Sequence, residues 1–170
     1  MLADKRVLVK GERLMDHCEG LDGWWHAFFD TATTWQSELA ASLAHTAHIP
    51  SVGWDNLDDH KESVRVPGMW RDARPGFCGV VWYWRPFVLP ADWSSGMVSL
   101  HFGAVRGRVE VYLDEVLIGA SGALDHPFAY DLSLVVLETL HTLTLRIIHF
   151  DDSGGICGPV TLIHTPPGSD

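Results

Sequence analysis

The most constraining feature of this chain is a two-residue alternation that runs through its second half. Val98, Leu100 and Phe102 alternate with Ser99 and His101. Val109, Val111 and Leu113 alternate with Glu110 and Tyr112, and Leu143, Leu145 and Ile147 repeat the pattern before Val160 and Leu162. A period of two puts every second side chain on one face of a strand, so each run predicts a strand with one buried face. Asp114-Glu115 reads as a tight turn leading into Val116–Ile118, although it lacks the Asn-Gly or Asp-Gly of the strongest hairpins. Short strands broken by Gly, Pro and Asp predict an all-β sandwich or barrel. No repeat or linker divides residues 1–170, which are expected to form one domain.

The first half is less regular. Leu21–Asp30 carries Trp24, Trp25, Phe28 and Phe29 and fits a strand with aromatics on both faces. In Trp35–His48, Leu39, Leu43 and Ala47 recur every four residues, Ser37 can cap and Pro50 follows, so a helix is expected there. Gly53–Lys61 is expected to be a loop, and Val64–Gly68 a short strand ending in a turn.

Composition narrows the functions. A formal charge of −10 repels phosphate backbones and anionic lipid, so neither nucleic acid nor a membrane surface is an expected partner. Met1–Asp16 contains no apolar run of signal-peptide length and no later stretch approaches a membrane span, so a cytoplasmic protein is the default expectation. Cys18, Cys78 and Cys157 are scattered without CxxC spacing and read as reduced thiols. No P-loop, dinucleotide fingerprint or nucleophile elbow is present; Gly103–Gly107 is read as a turn between strands, and no cofactor is expected. Ten histidines offer only His45 and His48 at close spacing, so no metal site is expected. Eight tryptophans are more than packing usually needs, and an exposed indole is a stacking surface for a sugar or another apolar face.

A series of motifs carries a family resemblance. Leu21-Asp22-Gly23-Trp24 is followed by Val66-Pro67-Gly68-Met69-Trp70, then by Val81-Trp82-Tyr83-Trp84-Arg85-Pro86-Phe87-Val88-Leu89-Pro90. Leu100–Val105, Val109–Gly119, Pro127–Leu132 and Ser153–Val160 continue it in order. Over roughly residues 20–165 the chain resembles the N-terminal sugar-binding domain of family 2 glycoside hydrolases, the β-galactosidase and β-glucuronidase type. The resemblance implies a galactose-binding-like jelly roll of two packed antiparallel sheets with one or two short helices. Relatives of that kind continue into an immunoglobulin-like domain and a catalytic barrel. This chain ends at Asp170, so a conventional glycoside hydrolase is not expected.

The resemblance also marks a site. In the family, the loop before the Ser-Gly-Gly-Ile-like turn sends an acidic residue to substrate hydroxyls, and Asp151 and Asp152 occupy the matching place. A carboxylate accepts paired hydrogen bonds from a diol, although the same group in a turn can simply cap backbone N–H groups. The family's arginine before Pro-Val is Gly158 here. The expected ligand pocket lies where Asp151–Ile156 meets Leu124–Pro127, with His126 and an indole from Trp70, Trp82 or Trp84. Trp82 and Trp84 share one strand face and Tyr83 takes the other. His101 and His149 are read as lying on strands opposite the apolar register.

Three functions follow. The first is a stand-alone, non-catalytic carbohydrate-binding-like domain for a small polyhydroxylated or apolar ligand. The second is a repurposed small enzyme, a cyclase or isomerase of a biosynthetic intermediate, with His126, Asp151 and Asp152 as its acid–base groups. The third is a docking domain that forms a homodimer or covers a separate catalytic chain.

Overall fold

A computed structural model describes residues 16–32, 35–40, 47–122 and 125–168. Twelve strands carry the architecture among them. They are β1 (His17–Gly20), β2 (Gly23–Asp30), β3 (Glu62–Val66), β4 (Gly79–Val88), β5 (Met97–Phe102) and β6 (Val105–Arg106). The rest are β7 (Arg108–Leu113), β8 (Val116–Ser121), β9 (Phe128–Asp131), β10 (Leu140–His149), β11 (Gly155–Ile156) and β12 (Val160–Thr165). A six-stranded sheet in the order β3-β2-β4-β10-β7-β8 packs against a four-stranded sheet in the order β1-β12-β5-β9, and β11 pairs with β6 beside them. Every pairing is antiparallel. The chain is an all-β sandwich, as the alternation predicted.

The core is built from the inward residues of both sheets. Trp25, Tyr83, Val111, Leu145 and Ile147 meet Leu100, Phe102, Val160 and Leu162 in one cluster. Leu143, Leu145 and Ile147 are fully buried, and each such side chain contributes about 1.5–3 kcal/mol relative to exposure. The β7–β8 hairpin turns through Asp114 and Glu115 with φ of 48° and 69°. Two left-handed residues give the turn the right twist, and here they do so without glycine. Asp114 tolerates it because its Oδ1 accepts the Thr142 N–H at 2.8 Å, tying the turn to β10.

Four expectations change. Helix α1 is described over Trp35–Ala40, residues 47–50 are non-helical, and residues 41–46 of the expected helix lie outside the described residues. Gly53–Lys61 is not an irregular loop, because Trp54–His60 forms a 3-10 helix that inserts Leu57 into apolar packing. The span Gly103–Gly107 contains the short strand β6, held by β11. His149 follows Leu143, Leu145 and Ile147 in the same odd register of β10 and is buried with them, so it stands in the apolar register and not opposite it.

The outer face of the six-stranded sheet is not a solvent face. Val80, Trp82 and Trp84 of β4, Tyr112 of β7 and Ile148 of β10 form a second apolar cluster with Leu57. Trp35 and Leu39 of α1, together with Val52 and Trp54, pack over it. A strand buried on both faces must be apolar on both, which is why β4 reads Val-Val-Trp-Tyr-Trp without alternation.

Candidate functional site

The loop after β10 is assembled by its own polar groups. Asp151 Oδ1 accepts the Ser153 N–H at 2.8 Å and also the Ser153 hydroxyl. Those two bonds hold the Asp151 carboxyl below the ordinary carboxylate range. His149 Nε2 lies 3.2 Å from Ser153 Oγ and 3.4 Å from Asp151 Oδ1. Burial pushes the His149 pKa down, against the attraction of Asp151. Asp152 faces the other way: Oδ2 accepts the Gly76 N–H at 2.8 Å and Oδ1 is 3.4 Å from Arg71 Nη2. Gly155 then turns with φ of 139°, and a Cβ there would sit 2.7 Å from the Gly68 carbonyl oxygen.

The structure brings the acidic loop and the segment before Pro127 together, but not the expected indoles of Trp82 and Trp84. Strand β6 pairs with Gly155-Ile156, and its Arg106 forms a two-pronged contact with Asp125 at 2.8 and 3.2 Å. The segment before Pro127 is thereby anchored beside the acidic loop, although Leu124 lies outside the described residues. His126 is exposed and makes no hydrogen bond among the described residues. Trp70 lies beneath the loop, 6.3 Å from the His149 ring between centroids, but only 1% of it is exposed. Trp82 and Trp84 are on the outer face of the six-stranded sheet, 0% and 4% exposed. Around the acidic loop, Asp151 caps its own turn through the Ser153 N–H, and Asp152 ties the loop to the distant Gly76 N–H.

A different concavity opens on that outer face. A half-open groove of about 400 Å³ crosses β2, β4 and β10 and ends at the β7–β8 turn. Its floor follows one row of the sheet: His26 is opposite Trp84, and Trp84 is opposite Thr144. The 3-10 helix forms one wall. Trp54 from that helix sets its edge against Trp82 and Tyr112, 5.4 Å away in each case. Asp58 Oδ1 accepts the Trp84 indole N–H at 2.9 Å, fixing the ring within the groove.

Two floor groups lack protein partners. Thr144 is 2% exposed and its hydroxyl makes no hydrogen bond among the described residues. His26 Nδ1 is buried and equally unbonded. The ring nitrogens Trp70 Nε1, Trp82 Nε1 and His164 Nδ1 are likewise buried and unbonded among the described residues, but only Thr144 and His26 of this set line the concavity.

Beneath the groove, a charged network braces the same face. Arg146 donates to both oxygens of Glu38 at 2.8 and 3.0 Å and lies 3.5 Å from Glu110 Oε1. The Tyr112 hydroxyl donates to Glu110 Oε2 at 2.7 Å, and His48 Nδ1 is 2.6 Å from Glu110 Oε1. Burial pushes the Tyr112 hydroxyl pKa up, and the adjacent carboxylate adds to the rise. Reading the sequence alone missed His26, Asp58, Thr144 and this network. The available signal was β4, whose apolar residues on both faces require a cover over Glu110, Thr144 and Arg146.

Among the described residues no cluster of three metal-ligating side chains occurs, and no helix is long and apolar enough to cross a membrane. No protein-family model matches the chain, nor does any curated protein sequence.

Solved structures do resemble it. The fold is that of the jelly-roll domain of family 2 glycoside hydrolases. A β-glucuronidase from an uncultured Clostridium superimposes with a TM-score of 0.71 at 21% identity, over 96% of this chain and 31% of that one. The Ruminococcus gnavus β-glucuronidase gives 0.71 at 19% identity, over 98% and 31%. The Faecalibacterium prausnitzii β-glucuronidase gives 0.68 at 19%, over 94% and 33%. The chain thus spans about a third of the length of these enzymes, and at such identities the likeness establishes the fold.

Proposed function

We propose that this protein is a carbohydrate-binding-like domain that holds a polyhydroxylated ligand, without chemistry, in the groove on the outer face of its six-stranded sheet. The observation that carries this reading is the floor pair Thr144, whose hydroxyl no described residue bonds, and His26, whose buried Nδ1 is likewise unbonded among the described residues. A hydroxylated ring presents C–H groups that suit the half-buried indole of Trp54 in the groove wall and hydroxyls that suit Thr144, His26 and the free oxygen of Asp58. The loop of Asp151 and Asp152 serves on this reading as scaffold, because its carboxylates are engaged by Ser153, Gly76 and Arg71. The enzyme alternative has weaker support, since His126 is exposed and unbonded among the described residues.

The test is an amide NMR titration with D-glucose, cellobiose and D-glucosamine. Shifts should concentrate at His26, Trp84, Thr144 and the Glu115 turn, and Thr144→Val should weaken binding about three- to tenfold, the worth of one hydrogen bond. Shifts confined to residues 125–127 and 151–156 would return the site to the acidic loop and refute the groove.

A further inference from the structure

The groove is electrically uneven, and its ends are fixed by the strand order. Lys61, which precedes β3, and His26 of β2 stand at one end. Asp114 and Glu115 stand at the other, on the β7–β8 turn, three strand spacings or roughly 14 Å away. The carboxylates differ in how far they are neutralised. Asp114 accepts the Thr142 N–H and lies 2.6 Å from His141 Nδ1, whose charge offsets it. Asp58 has committed one oxygen to Trp84. Glu115 makes no hydrogen bond or ion pair among the described residues, while the left-handed turn fixes its backbone. Three lining carboxylates therefore face one lining ammonium, in a chain of formal charge −10.

Resting on the groove reading, we infer that the ligand bears a protonated amino group seated at the acidic end, so that the groove selects amino-substituted polyols, with a hexosamine as the simplest case. The amine reaches Glu115, while the ring hydroxyls meet Thr144. An ammonium is a compact charge with three donors, and its bonds to a carboxylate are about twice as strong as neutral ones. Lys61 repels an amine at the far end and so permits only one orientation. A carboxylate on the ligand would meet Glu115 and Asp114 at one end, a repulsive element that discriminates as strongly as the attraction does.

The experiment compares D-glucosamine, N-acetyl-D-glucosamine, D-glucose and D-glucuronate by amide NMR titration at mildly acidic pH, where the amine is charged and the carboxylates remain ionised. D-glucosamine should bind about tenfold more tightly than D-glucose, and N-acetylation should abolish the gain. Glu115→Gln should reduce the preference to about threefold or less, and added salt should have a similar effect. Equal binding of the amino and neutral sugars, or tighter binding of D-glucuronate, with shifts still in the groove, would overturn the amine inference and leave the groove reading standing. If none of the four shifts groove resonances in the unsubstituted protein, shown folded by its spectrum, both fall.

Discussion

Replacing Thr144 by Val separates stability from function at one atom. The residue sits in mid-strand β10 between Trp84 and Tyr112, 2% exposed, with its hydroxyl unbonded by the described protein. Valine keeps the branched shape and its β-propensity is at least as high. A hydroxyl buried without a partner costs about 1–3 kcal/mol, and the groove side of Thr144 lowers that cost towards the bottom of the range. Thr144→Val should therefore stabilise the fold by about 1 kcal/mol, a rise of about 2–4 °C in Tm for a chain of this size. Urea unfolding should show a higher midpoint at unchanged slope, and the same sample should bind polyol less well. Thr144→Ser is the control: it keeps the hydroxyl, loses a buried methyl and should lower the midpoint. A loss of about 1 kcal/mol in the valine variant would mean that the hydroxyl is bonded within the protein, and the groove would then lose the group on which its reading depends.

Three further outcomes follow from the same structure. Glu110→Leu removes the acceptor of the buried Tyr112 hydroxyl, while Arg146 keeps its two bonds to Glu38, so it should cost about 1–3 kcal/mol by urea unfolding. Burial works against the charge of His141, but Asp114 and the Val136 carbonyl outweigh it and raise the pKa above 6.5. The stability this contributes is fully present below the unfolded value and is lost as pH rises through the folded one; Asp114→Asn should lower the His141 titration midpoint seen by NMR and flatten that part of the stability profile. Gly155→Ala meets both a positive φ and the Gly68 carbonyl at 2.7 Å, so it should cost more than about 1 kcal/mol and broaden the amide resonances of Val105 and Arg106, which its strand pairs.

The sequence made the sandwich legible through strands with one dry face. Leu143, Leu145 and Ile147 point inward as their alternation required, and Val98, Leu100 and Phe102 do the same from the opposing sheet. The acidic loop was legible in position, because Asp151–Ile156 does lie beside the segment before Pro127. Its chemistry was not, because whether a carboxylate faces a ligand or caps Ser153 depends on a local turn that residue order alone does not specify. The groove was hidden for another reason. Period-two reasoning assigns Glu110, Thr144 and Arg146 to the wet side of their strands, yet each is buried. What covers them comes from residues 35–60, far away in sequence, and a 3-10 helix has no strong apolar period to announce itself.

That covering segment is also what turns a flat sheet face into a site. Without α1 and the 3-10 helix, Trp82, Trp84 and Tyr112 would form an exposed aromatic sheet, a surface prone to association. With them, Trp82, Trp84 and Tyr112 are buried, and a groove from His26 to Asp114 opens beside them among the described residues. The charged network of Glu38, Glu110 and Arg146 pins α1 to the sheet by directional bonds, which a greasy contact would not supply. The tie can be tested apart from the fold: Glu38→Gln removes the charge on α1 while leaving the Glu110–Arg146 contact in place. It should lower global stability little, since Glu38 is partly exposed, but it should loosen the cover and raise the hydrogen-exchange rates of amides in residues 35–40 and 54–60. Unchanged exchange there would mean that apolar packing of Trp35, Leu39 and Trp54 alone holds the cover in place.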